Sequence, residues 1–101
     1  MAGYAEVLAA DRRLALLRLL VEAGGEAGES VLEKGLHMLG HRIGVDRDQV
    51  RSHLRELAER DCLVIEFFQD KVMIAAITRR GVSVANGVIE VEGVARPAMG
   101  R

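Results

Sequence analysis

The apolar period of this chain changes at Cys62, and that change limits the folds open to it. Before Cys62, the residues Val50, Leu54, Leu57 and Ala58 recur at three- and four-residue steps, which places them on one face of a helix. After it, Leu63-Val64-Ile65-Glu66-Phe67-Phe68 and Val72-Met73-Ile74-Ala75-Ala76-Ile77 are two β-rich runs separated by Gln69-Asp70-Lys71. The pattern predicts a helix from about Asp46 to Arg60, followed by a β-hairpin over 63–77. Asp46 is a good N-cap, and Gln49 three residues on can return a bond to its amide. Asp61 falls where the chain turns out of the helix, a position where Asp tolerates positive φ better than a branched residue.

The remaining elements follow from the same reading. Residues 5–22 form a first helix with Leu14, Leu17 and Val21 in one stripe, Leu16 and Leu20 in a second, and Leu19 between them. That apolar arc is wider than one core-facing stripe needs, so Leu16 and Leu20 are expected at a seam with a second copy. The Gly24–Gly28 cluster ends the helix. Ser30, with Glu33 three residues later, has the spacing of a capping box for a second helix. Thr78 caps a short fourth helix, Arg79 to Asn86, closed by Gly87. The expected class is α+β and mainly helical, with residues 1–87 as the domain and 88–101 as a C-terminal tail. Val88, Ile89, Val91 and Val94 make that tail too apolar for a free linker. It is expected as a last strand or an arm packed on a neighbour, completing a homodimer seam.

Composition narrows the function classes. In 101 residues, half hydrophobic and 29% charged, there is room for one core. The lone Cys62 permits no disulfide framework and fits a reducing, cytoplasmic compartment. No basic n-region precedes an apolar run at the N-terminus, and the longest uncharged run is far short of a membrane span, so neither a signal peptide nor a membrane segment is expected. A net charge of −1 argues against coating nucleic acid by charge alone, while leaving room for a local basic patch.

Helix, helix, capped helix, hairpin and short helix is the order of a winged helix-turn-helix, in which the third helix can enter the major groove beside a hairpin wing. Gly44 to Leu57 resembles the recognition helix of many bacterial regulators, with an inward Val followed by Leu residues four and seven positions on. Thr78-Arg79-Arg80-Gly81 resembles the step into the helix after the wing. A closer resemblance is to the small winged-helix proteins of Mu-like phages and prophages, commonly labelled ArsR-like. It is carried by Leu17-Arg18-Leu19-Leu20, Glu29-Ser30-Val31-Leu32, Asp48-Gln49-Val50-Arg51, Thr78-Arg79-Arg80-Gly81 and Gly93-Val94-Ala95-Arg96-Pro97. That family label implies sequence-specific binding of double-stranded DNA by a phage or prophage transcriptional regulator.

On a helical wheel Val50, Leu54 and Leu57 define the buried side of the third helix. Arg47, Arg51 and Arg55 are then expected at groove or phosphate contacts, with Gln49 and Ser52 at others and Lys71, Arg79 and Arg80 on flanking phosphates. The alternative is an ordinary solvated face with Asp48–Arg51 and Arg55–Glu59 ion pairs, on a winged-helix module that binds protein without DNA. Asp46, Asp48, Glu56 and Glu59 nearly balance the arginines, which favours that alternative. No catalytic residues, cofactor or small-molecule ligand are expected: Ser52 and His53 diverge on a helix, and no phosphate loop or dinucleotide fingerprint occurs. His37 and His41 are four apart, but Gly40 breaks the helix between them and no third ligand is near, so no metal is expected.

Overall fold

Leu14, Leu16, Leu17 and Leu20 are all buried along α1, Tyr4–Glu22, which makes it the central helix of the domain. The computed structural model describes residues 3–98. Around α1 are arranged β1 (Glu26–Gly28), α2 (Glu29–Met38), α3 (Arg47–Glu59), β2 (Leu63–Phe68), β3 (Val72–Ile77) and α4 (Arg79–Ala85). The class is α+β, with a three-stranded antiparallel sheet in the order β1-β3-β2.

The expected punctuation of α3 is present. Asp46 accepts a 2.9 Å hydrogen bond from the Gln49 amide, and no bond returns from the Gln49 side chain among the described residues. Asp61 takes φ 61° at the exit, where the Cys62 amide reaches back to the Leu57 carbonyl. The hairpin pairs Leu63 with Ile77 through Phe68 with Val72. Its turn uses left-handed backbone at Gln69 and Asp70. Thr78 caps α4 through a 3.0 Å bond from the Gly81 amide. A methyl at Gly81 would overlap the Cys62 carbonyl oxygen, so only glycine lets α4 start this close to the hairpin base.

Three expectations are corrected. The Gly24–Gly28 cluster is more than a stop: Glu26, Ala27 and Gly28 pair with Ala76, Ala75 and Ile74 as β1. The cap of α2 is Gly28 rather than Ser30, and Ser30 lies inside the helix, because Glu29 turns inward at the first helical position. Leu16 and Leu20 cannot line the expected homodimer seam, since both side chains are fully buried in the chain's own core. The broad leucine arc of α1 is consumed because α1 meets α2, α3, α4 and the sheet.

Residues 88–98 of the tail form neither a strand nor a free arm. Val91 and Val94 are buried on the same core and Ile89 packs against it, leaving Val88 as the exposed member of that set. The Ala95 amide donates to the Ala10 carbonyl at 3.1 Å. The Arg13 guanidinium donates to the Gly93 carbonyl at 3.0 Å, and Arg60 Nε to the Glu92 carbonyl at 2.7 Å.

Candidate functional site

Glu29 opens α2 and is buried, an expensive place for a carboxylate unless donors surround it. Arg51 on α3 donates to it twice, from Nε at 2.6 Å and from Nη2 at 2.8 Å. The Met73 amide of β3 donates a third bond at 2.8 Å. The Arg51 bonds are the main reason the Glu29 carboxyl is held below its ordinary pKa, outweighing the cost of burial. Arg51 also donates to the Lys71 carbonyl at 2.8 Å, and its guanidinium lies 5.8 Å from the centre of the Phe67 ring. One arginine therefore fastens the start of α2, the first half of α3 and the hairpin tip together.

That network redistributes the expected contact residues. Arg51 is an internal strut rather than a free cation. Arg47 is exposed, 3.8 Å from Glu29 and with Nη2 3.5 Å from the Ser30 hydroxyl. Arg55 and Ser52 are exposed on the outward face, Gln49 is half-buried, and Lys71 stands at the hairpin tip. Arg47, Arg51 and Lys71 are brought to one end of the hairpin. Arg79 and Arg80 are exposed at the other end, a strand length of about 20 Å away, and Arg80 Nε donates to the Arg60 carbonyl. The outermost row of α3 is Asp48, Ser52, Arg55 and Glu59, all exposed. Neither the expected Asp48–Arg51 nor the Arg55–Glu59 ion pair is formed among the described residues; Arg51 is committed to Glu29 instead.

Sequence reasoning missed a second cluster, on the opposite flank of α3. His53 is buried, and its Nδ1 accepts from Arg13 Nε at 3.2 Å, which requires a neutral ring. Burial first, then the charges of Arg13 and Arg12, depress its pKa from 6.5 to about 4. Arg60 is held by Glu56, with Nη1 2.7 Å from the carboxylate. Arg13 and Arg60 thus serve to clamp the tail. Only the i, i+4 spacing of Glu56 and Arg60 signals any of this in sequence. His37 Nε2 lies 2.8 Å from the Val45 carbonyl and fixes the turn into α3. No group of three or more metal-type side chains occurs among the described residues.

The chain is 46% identical over 78 residues to a Haemophilus influenzae protein described as uncharacterized, a match spanning 77% of this chain and 74% of that one. It is 39% identical over 92 residues to uncharacterized protein gp26 of Escherichia phage Mu, spanning 91% of this chain and 93% of gp26. The chain belongs to the family of these two proteins. No family model matches it, and no solved structure does.

Proposed function

We propose that this protein is a winged helix-turn-helix that binds double-stranded DNA through α3 and the hairpin tip, as a cytoplasmic transcriptional regulator of Mu-like phages and prophages. The element order helix, strand, helix, helix, strand, strand, with β1 on the free edge of β3, supports the winged-helix reading. Kinship with a phage Mu protein supports the phage setting. The observation that carries DNA binding is the Arg51 strut, which fastens the hairpin tip beside the exposed α3 residues Arg47, Ser52 and Arg55. On this reading α3 enters the major groove, Arg47 and Arg55 supply groove and phosphate contacts, and Lys71 binds a flanking phosphate. Arg51 acts through its neighbours. The protein has no catalytic role on this reading.

Two carboxylates in the outermost row of α3 make tight non-specific binding improbable, so the test is selection from a random-sequence pool at low salt. Enrichment of one motif by the wild type, lost in the Arg47→Ala/Arg55→Ala double variant, is the expected result. The second reading is a protein-binding module, favoured by the exposed apolar residues Val64, Phe68 and Val72 on the outer face of the sheet. No enrichment counts against DNA binding and in favour of this reading, whereas enrichment indifferent to the double variant would move the DNA contact away from Arg47 and Arg55.

A further inference from the structure

We propose that the groove between α1 and α2 is the seam of a homodimer, replacing the seam expected from Leu16 and Leu20. At Gly35 the two helices approach so closely that an added Cβ would lie 2.8 Å from Leu19 Cδ1. Without a side chain there, Leu19 lies across α2 and a shallow apolar groove of about 340 Å3 opens beside it. Val31 is 62% exposed and Met38 83%, both lining that groove. A surface that carries both a hollow and the apolar side chains able to fill it can pair with itself about a two-fold axis.

The charges around the groove identify the occupant as a second copy. Glu22 on α1 and Lys34 on α2 both border it, and neither is in an ion pair among the described residues. A two-fold axis running along the groove exchanges its walls, so each Glu22 meets the partner's Lys34 while Met38 enters the opposing hollow. The pairing is satisfied twice. A partner of a single charge sign would leave one of the two borders facing like charge. Val31 and Met38 also lie about 160° to 180° around α2 from Glu29, the residue that Arg51 of α3 grips. Pairing there leaves the outward face of α3 and the hairpin tip uncovered, so the dimer stands or falls independently of the DNA reading.

Sedimentation equilibrium on the full chain tests this over the micromolar range. The wild type is expected at twice the 11.0 kDa of one chain. Met38→Glu puts a charge into the seam at a residue too exposed to matter for folding, as an unchanged circular dichroism spectrum will verify. It should raise the dimer dissociation constant at least about tenfold. Glu22→Lys should do the same, and Glu22→Lys/Lys34→Glu should restore the dimer. Val88→Glu, at an equally exposed apolar residue elsewhere, should leave the mass unchanged. A wild type at single-chain mass throughout overturns the proposal. So does a dimer that survives Met38→Glu, one that Val88→Glu abolishes, or a charge swap that restores nothing.

Discussion

Removing Arg51 would strand the Glu29 carboxylate with the Met73 amide as its remaining close donor, and that single site tests how α2, α3 and the hairpin are held together. Breaking a fully buried pair costs about 3–5 kcal/mol. Arg51 keeps about a quarter of its side chain in water, so Arg51→Ala is expected to destabilise by less than that. Arg51→Lys should recover little, because an ammonium cannot reproduce the two-pronged bond to Glu29 together with the Lys71 carbonyl contact. A urea denaturation series settles both, and an Arg51→Ala midpoint equal to wild type would return Arg51 to the pool of free cations. His53 sets a second test at the same scale. Its folded pKa, about 4, lies below the unfolded 6.5, so its contribution to stability is complete above 6.5. As pH falls from 6.5 towards 4, the unfolded chain takes up a proton that the folded chain refuses. Stability should fall by up to about 1.4 kcal/mol per pH unit in that window. His53→Leu should flatten that slope between pH 6.5 and 5, above the range in which carboxylates such as Glu29 and Glu56 begin to titrate. An unchanged slope would assign the acid sensitivity elsewhere.

The elements that could be read from sequence are those whose signals are local. The α3 cap at Asp46, the left-handed exit at Asp61 and the Thr78 cap each depend on a side chain meeting backbone within a few residues, and each is present. The hairpin was legible because its two runs are long and separated by three polar residues. β1 was not, because three residues following glycines carry no period; what makes them a strand is the edge of β3, distant in sequence. Ser30 had the correct spacing for a capping box, yet burial of Glu29 against Arg51 starts the helix earlier, a tertiary contact overriding a local preference. The α3 cap can be measured directly. Asp46→Ala removes the acceptor for the Gln49 amide and should cost about 1 kcal/mol, read as a lower thermal midpoint. Asp46→Asn, which keeps an acceptor oxygen, should recover most of it. Equal losses in the two variants would mean that charge at the helix N-terminus, rather than the hydrogen bond, does the stabilising.

Over the whole molecule, the candidate site was legible as a list of exposed cations and illegible as a network. Helical spacing placed Arg55 and Ser52 on the outward face, but spacing within α3 contains nothing about Glu29, which is 22 residues from Arg51. The tail followed the same rule: its apolar residues were evident, but Val91 and Val94 pack on the chain's own core, where Arg13 and Arg60 hold the neighbouring carbonyls. Of the expected contact cations, Arg51 is internal, Arg80 is bonded to the Arg60 carbonyl and Arg79 lies at the far end of the hairpin, which leaves Arg47, Arg55 and Lys71 exposed around α3 and the hairpin tip. If each neutralises one phosphate, log K for DNA should fall against log salt with a slope near −3, at about −0.9 per phosphate for one chain. A two-fold dimer engaging two half-sites should double that slope. Lys71→Ala should weaken all sequences alike and reduce the slope by about 1 per chain. Arg55→Ala distinguishes two roles: loss of preference at one base pair marks a groove contact, while a uniform loss with a shallower slope marks a phosphate contact. A salt slope near zero for a selected duplex would show that the carboxylates Asp48 and Glu59 cancel the arginines, and α3 would then not be the DNA-binding element.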